Sequence, residues 1–308
     1  MTSAVSPHRY RVGVVGAGRV GAVLGAALRQ VGHEVVAVSG ASPTSRLRIE
    51  TLLPGLSPLS PAQVAAAADL LLLTVPDDRL GSVVARLASA GAFRPGLVVV
   101  HTSGRHGTEV LAAAAEAGAV TIALHPAMTF TGTDVDLDRL RGCVFGLTAA
   151  ADGRAVGAPL VDDLGGEVVI IPEEQRTLYH AALAHGANHL VTLVGQAMDL
   201  LRAAGSTDPA RTLRPLLTAA LDNALAYGDA ALTGPVVRGD TRTVSDHLAA
   251  LAAVGDEAAL PGAADVRTAY AAMAAATAGR AVRSGRLRGD DAADMTALTS
   301  GLPARSGR

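Results

Sequence analysis

Near the start of the chain, Gly16-Ala17-Gly18-Arg19-Val20-Gly21 sets three glycines at the spacing that lets a backbone wrap a pyrophosphate. In that pattern the first glycine permits a tight turn and the second lets the backbone approach the anion. The third lets a helix pack closely on a strand. The N–H groups that open the helix then face the phosphates, and the helix dipole adds positive potential. Further along, three apolar runs each end in a polar motif: Thr74-Val75-Pro76-Asp77-Asp78, His101-Thr102-Ser103-Gly104 and His125-Pro126-Ala127-Met128. Open α/β sheets bind ligands at the carboxyl ends of their strands, so three such ends in succession point to a built site. Val75 and Pro76 fall on its cofactor side. Ser103 and Gly104 can hold a carboxylate or a nucleotide ribose through hydroxyl and backbone N–H. His125 can move a proton or merely bond its neighbouring backbone, and Asp77 suits the cap of a helix starting near Leu80.

The second strand ends in Ser39-Gly40, followed by Ser42, Thr44, Ser45, Arg46 and Arg48. A carboxylate there would accept ribose hydroxyls and repel a 2′-phosphate. Its absence, with hydroxyls and guanidinium groups in its place, favours NADP over NAD. Ser39, Ser45 and Arg46 are the candidate contacts.

Acid/base chemistry has few carriers. All 26 basic residues are arginine and the chain has no lysine. A proton must therefore be handled by His, Tyr, Asp/Glu, Ser/Thr or water. Beyond Glu173 a helical pattern brings His180, Ala184, Ala187, Val191 and Gly195 within about 80° of one another, with Asn188 at the border. His180 is the first candidate for the acid/base and His125 the second, because a near-neutral imidazole suits that work; tight helix packing is the alternative role for His180. His185 and His189 point elsewhere and lack the carboxylate or thiol neighbours of a metal site, so no metal is expected. In the turn-rich Thr233-Gly234-Pro235-Val236-Val237-Arg238-Gly239-Asp240, Arg238 can hold a substrate carboxylate or phosphate, or pair with Asp240.

These residues need elements to hold them. Strand-like runs at 11–15, 35–38, 70–75, 97–102, 120–124, 143–147 and 168–171 alternate with helical stretches, which reads as a doubly wound α/β sheet. Residues 39–60 read as a loop with at most one helical turn. After Pro172 only helical patterns follow, and the tail from about Arg286 reads as frayed. The expected architecture is an α/β Rossmann-type doubly wound parallel sheet over residues 1–171 and an all-α C-terminal domain over 172–308. Hydrophobic residues make up 49% of the chain, enough for a large core built from Ala, Val and Leu. A net charge of −2 without a basic run argues against nucleic acid or an anionic membrane as partner. One cysteine, Cys143, permits no internal disulfide, and no long apolar N-terminal stretch reads as a signal; a cytoplasmic protein is expected.

Taken together, GAGRVG, TVPD, HTSG, LHPAMTF, YHAALAHGANHL and TGPVVRGD resemble, over nearly the whole chain, a Rossmann-like family with a helical C-terminal domain of unknown function, of the DUF2520 type. That family is similar to the 6-phosphogluconate dehydrogenase-like superfamily, which includes pyrroline-5-carboxylate, ketopantoate, 3-hydroxyisobutyrate and prephenate enzymes. The resemblance implies a nicotinamide-dependent oxidoreductase that dimerises through its helical domain. Where 3-hydroxyisobutyrate-type and ketopantoate-type relatives use a lysine near the start of the interdomain helix, this chain offers His180, with Asn188 two turns on. LHPAM resembles the HPM stretch of prephenate dehydrogenases, and the match falls on His125. His101-Thr102-Ser103-Gly104 departs from those enzymes, which puts a cyclohexadienyl substrate in doubt. Pyrroline-5-carboxylate reductases need no lysine, which keeps imine chemistry open. The expected function is an NADP(H)-dependent oxidoreductase on a small anionic keto, hydroxy or imino acid. The competing reading is a non-catalytic dinucleotide-binding sensor or interaction protein.

Overall fold

Leu70-Leu71-Leu72-Leu73 is apolar without interruption, and all four side chains are buried. A strand of that kind has no solvent face, so it must lie inside a sheet covered on both sides. The structure, a computed structural model, describes residues 9–256 and 263–300. Residues 1–8 and 301–308, parts of the sequence expectations for both termini, lie outside the described residues.

The chain forms β1 (Arg11–Val15), α1 (Arg19–Gln30), β2 (Glu34–Ser39), α2 (Pro43–Leu52), α3 (Pro61–Ala67), β3 (Leu70–Leu73) and α4 (Asp77–Ser89). After β4 (Val98–His101) and a short 3-10 turn come α5 (Ala112–Glu116), β5 (Val120–Pro126), α6 (Val135–Arg139), β6 (Val144–Ala149), α7 (Ala151–Asp163) and β7 (Glu167–Ile170). The seven strands lie in the order β2-β1-β3-β4-β5-β6-β7. From β1 the chain steps first to β2 on one side and then to β3 on the other. The carboxyl ends of β1 and β3 therefore part at a topological switch point, where this sheet class opens a crevice. Two apolar layers cover the sheet, one built around Val14, Leu72, Ile122 and Phe145, the other around Leu71, Leu73, Val84 and Val99.

Three expectations are corrected. The sheet is parallel only as far as β5; β6 runs antiparallel to it, and β7 is parallel to β6. The connection from β5 to β6 holds only the five-residue α6, and the chain returns in the opposite direction. Residues 43–52 are a helix, not a loop: the Ser42 hydroxyl accepts the Ser45 N–H at 3.1 Å and Pro43 opens the first turn. Only Ser45 and Ile49 of that helix are buried, so it shows no apolar periodicity. The tail from Arg286 also contains α13 (Gly289–Thr299), anchored by the fully buried Met295.

Beyond β7 a 3-10 turn leads to α8 (Arg176–Leu183). The segment Ala184–Asn188 is a π-helical turn. The uniform 3.6-residue spacing behind the expected face from His180 to Gly195 therefore does not run through it. The chain divides into two compact units at Ala187/Asn188, later than the end of the last strand, because α8 packs with the sheet unit. The second unit comprises α9 (His189–Ala203), α10 (Pro209–Tyr227), α11 (Thr241–Asp256), α12 (Ala263–Arg283) and α13. Its core gathers Val236, Val244, Leu248, Ala278 and Met295. Among the described residues, no helix is long and apolar enough to cross a membrane.

Candidate active site

The glycine loop is held from both sides. Gly16 takes φ +98°, in the left-handed region that favours glycine. Its N–H donates to Ser39 Oγ at 3.2 Å, and the Ala17 N–H donates to the Ser39 carbonyl at 2.8 Å. From the other flank, Thr74 Oγ1 donates to the Gly16 carbonyl at 2.7 Å. Ser39 is buried with its hydroxyl engaged on the loop, so the structure gives it a role in shaping the loop. Thr74 does the same from β3, and the sequence motif gave it no such part.

The other two glycines of the motif are there for different reasons. A Cβ on Gly21 would stand 2.1 Å from Thr74 Oγ1 and 2.4 Å from the Gly16 carbonyl. The protein itself excludes a side chain there. A Cβ on Gly18 would meet nothing closer than 3.9 Å. Gly18 is also the N-cap of α1, and no side chain caps that helix. An uncapped helix start beside an open glycine is a cradle for an anion, and the residues fit a dinucleotide pyrophosphate. Arg19 and Val20 begin the helix at this point; Val75 lies 3.0 Å from the position of a Gly16 Cβ. Pro76 is the N-cap of α4, so Asp77 sits in the first turn of that helix and does not cap it.

At the end of β2, Ser45 is buried and donates to the Ser42 carbonyl at 2.8 Å, whereas Arg46 is exposed. Next to it a cavity opens between α2 and the segment after β5, lined by Thr44, Arg48, Thr131, Gly132 and Thr133. A Cβ on Gly132 would come within 2.6 Å of Arg48 Nε and 2.9 Å of Arg19 Cγ, so two guanidinium-bearing chains converge on this turn.

Past the carboxyl ends of β4 and β5 lies a cluster of rings. His101 is fully buried and structural: its Nε2 contacts the Gly107 carbonyl at 2.8 Å and its Nδ1 accepts the Ser103 N–H at 3.1 Å. Burial holds its pKa down at about 4. Ser103 Oγ accepts the His106 N–H at 3.1 Å. Gly104 is where the rings meet: a Cβ there would lie 2.7 Å from His180 Cδ2 and 3.1 Å from His125 Nε2. His125 Nδ1 is 3.0 Å from the Tyr179 hydroxyl, and the His125 and His180 rings stand edge to face at 6.2 Å. Burial first, and the charge of Arg176 second, lower His125 to about 4. The ring is therefore neutral at pH 7, well below the near-neutral pKa expected from sequence, with its Nδ1 in hydrogen-bond contact with the Tyr179 hydroxyl. Among the described residues, no cluster of His, Cys, Asp or Glu could hold a metal.

Residues 1–126 match a Rossmann-like domain, and residues 143–277 match a domain of unknown function (DUF2520). The chain therefore carries a Rossmann-like domain followed by a DUF2520 domain. No curated protein matches it. Its fold is similar to that of a Bacteroides fragilis protein assigned as an NADP oxidoreductase, with a TM-score of 0.73, 20% identity and coverage of 89% of this chain and 100% of that one. An imine reductase from Streptomyces aurantiacus aligns with a TM-score of 0.60 at 15% identity, over 89% and 99% of the two chains. A reductive aminase from Aspergillus terreus, in complex with a nicotinamide dinucleotide, cyclohexanone and allyl amine, aligns with a TM-score of 0.59 at 17% identity over 96% and 99%. At these identities the likeness is one of fold.

The ring cluster is made within the first unit alone. Asn188 and Arg238 belong to the second unit, where both are exposed. Asp240 is engaged with the backbone N–H and hydroxyl of Thr243, so the expected Arg238–Asp240 pairing gives way to a helix-start contact. Tyr179 and Arg176 escaped the sequence reading. The only signal for Tyr179 was its place beside His180, and two neighbours on one helix point about 100° apart, so spacing could not show that both reach the cluster.

The contrast between the glycines is testable. Gly21→Ala should lower thermal stability markedly, whereas Gly18→Ala should melt like the parent yet lose dinucleotide affinity. Calorimetry beside fluorescence titration with NADPH checks both. Equal melting of the two variants, or unchanged binding by Gly18→Ala, contradicts the assignment.

Proposed function

We propose that this protein is an NADP(H)-dependent oxidoreductase acting on a small anionic keto, hydroxy or imino acid. The observation that carries the reading is the cradle at Gly18, open where only a ligand needs it open, on the same sheet edge as the His125–Tyr179–His180 cluster. The names of the structural neighbours, an NADP oxidoreductase, an imine reductase and a reductive aminase, support it. Gly16, Gly18, Arg19, Val20 and Gly21 would hold the pyrophosphate, with Val75, Pro76 and Ser103 toward the nicotinamide. Arg46 and Arg48 would meet the 2′-phosphate. When bound, the nicotinamide donates or accepts the hydride. The chain's own part is alignment, exclusion of water and supply of a proton. His125 ranks ahead of His180 for that last task because its Nδ1 has a proton source in Tyr179. Gly104, next to both rings, would offer its backbone N–H to a substrate carboxylate, with the Ser103 hydroxyl beside it in sequence.

The chain should bind NADPH more tightly than NADH at fixed salt. Arg46→Ala should weaken NADPH by roughly tenfold, the scale of one hydrogen bond to a charged group, and leave NADH unchanged. Equal affinities in a fluorescence titration would overturn the cofactor preference. Turnover on a panel of keto, hydroxy and imino acids tests the activity, and a protein that binds NADPH but converts none of them is a sensor.

With a substrate found, His125→Ala and Tyr179→Phe should each lower kcat by about 10²–10⁴ while NADPH affinity stays nearly intact. His180→Ala should cost less than either. Full activity in all three variants would leave Ser103, water or the substrate as the proton source.

The same reading includes a homodimer formed through the second unit. Val191 on α9 is 74% exposed, and Leu216 and Leu225 on α10 are 64% and 79% exposed. Large aliphatic side chains repeated along two long helices favour a covering partner. Light scattering at micromolar concentration should give twice the 30.9 kDa chain mass. Leu216→Arg with Leu225→Arg should shift it to monomer, and a monomeric parent would refute the dimer.

A further inference from the structure

Arg176 is 1% exposed, and its guanidinium is nearly unpartnered. Nη1 reaches the Gly146 carbonyl at a long 3.4 Å, and Nε and Nη2 have no hydrogen-bond partner among the described residues. Among the described residues it has no ion pair. The nearest carboxylate on its own segment, Glu173, is engaged elsewhere: it accepts the Thr108 N–H at 2.8 Å, the Thr108 hydroxyl at 3.0 Å and the Glu109 N–H at 3.2 Å. An uncompensated buried cation is among the most destabilising single features a fold can carry. A purely structural site would place an apolar side chain there.

The location gives the charge a use. The Arg176 guanidinium carbon lies 5.9 Å from the centre of the Tyr179 ring, and the Tyr179 hydroxyl is 3.0 Å from His125 Nδ1. His125 Nε2 faces Gly104 and His180 and has no hydrogen-bond partner among the described residues. We propose that Arg176 is a positioning residue, the fixed counter-charge of a proton relay in which Tyr179 recharges His125 as His125 protonates the substrate.

The proton steps balance. The His125 Nε2–H bond breaks as a bond forms to the substrate nitrogen or oxygen whose carbon takes the hydride from NADPH. The Tyr179 O–H bond breaks as His125 gains a proton on Nδ1. The imidazole ends neutral in its other tautomer, and the single negative charge comes to rest on the Tyr179 oxygen beside Arg176. Water reprotonates the phenolate after product leaves. The surroundings suit this traffic. Tyr179 is faced by Arg176 on its own helix, His125 on β5, Gly146 on β6 and Cys143 just before it. Burial raises Tyr179 above the usual phenol range and Arg176 opposes that rise. His125 is faced by Arg176, His180, His101 on β4 and Asp77 on α4. Cys143 is pushed up to about 11 by burial and stays a neutral thiol. A guanidinium keeps its charge through the range in which tyrosine ionises, where a buried ammonium would lose it.

This inference rests on the oxidoreductase reading, but its test does not require turnover. The chain has four tyrosines and no tryptophan, so tyrosinate absorption is read without indole background. The Tyr179 midpoint comes from the difference between the parent and Tyr179→Phe. Arg176→Met and Arg176→Gln should each move that midpoint upward by about one pH unit or more. Gln can still donate to the Gly146 carbonyl, so a role limited to that hydrogen bond would leave its midpoint at the parent value. Removing a buried unpaired charge should also leave the melting temperature of Arg176→Met equal or higher. An unmoved midpoint in either variant overturns the proposal, and so does an Arg176→Met protein that melts far lower or fails to fold. If the midpoint shifts as expected while no acid or imine is turned over, Arg176 is still the counter-charge of Tyr179 and it is the oxidoreductase reading that fails.

Discussion

Gly16 stands between two strands that leave β1 in opposite directions, and each strand holds one end of its peptide group. Ser39 from β2 accepts the Gly16 N–H, and Thr74 from β3 donates to the Gly16 carbonyl. Because β1 lies between β2 and β3, the loop that follows it has nowhere to go but across the opening between their carboxyl ends. The start of α1 is thereby aimed into that opening. Gly21 lets the helix lie close enough for Thr74 to reach the loop, and Gly18 remains open on the outer side. Two hydrogen bonds and one close approach thus turn a common glycine pattern into a rigid anion cradle.

Along the same sheet edge, β4 and β5 end in rings of different character. His101 is used up by its own loop, with both ring nitrogens engaged. His125 is one register further along the sheet, and its partner comes from α8. The antiparallel pairing of β6 puts Gly146 opposite His125, and a glycine there leaves room for the Tyr179 hydroxyl, which lies 2.7 Å from the place a Cβ would take. Arg176 enters from the same helix and meets that same glycine's carbonyl. The cluster therefore contains one permanent charge, the neutral rings of His101 and His125, and a phenol. In a low-dielectric setting such a charge acts strongly on whatever proton moves nearby. A chain without lysine can still run proton chemistry if an arginine sets the field and a tyrosine and histidine carry the proton.

The second unit has its own core and a different character. Its inner helices α11, α12 and α13 bury small alanine faces around Val244 and Met295. α9 and α10 contribute little to that core and expose Val191, Leu216 and Leu225 instead. The asymmetry follows composition, since α9 and α10 are rich in leucine whereas α12 is built largely of alanine and has no leucine. It leaves the apolar surface that the proposed dimer would cover.

The sequence by itself determined the alternation of strands and helices, the glycine cradle and the change of character after Pro172. Each rests on local rules: continuous apolar runs, glycine spacing and the end of β-rich runs. Local rules also explain what it missed. α2 has only two buried positions and is started by Ser42 and Pro43, so it carries no periodicity to detect. The reversal of β6 depends on which way a connection returns, and nothing within β6 records its direction. His101 and His125 both close an apolar run and look alike in sequence, yet only the tertiary structure makes the first a bridge within its own loop and sets the second against Tyr179 and His180. Ser39, read from sequence as a 2′-phosphate contact, is shown only by the structure to brace the glycine loop as well. Arg176 was one arginine among 26. What set it apart was burial without a partner, a property of the space around a residue that only the fold can create.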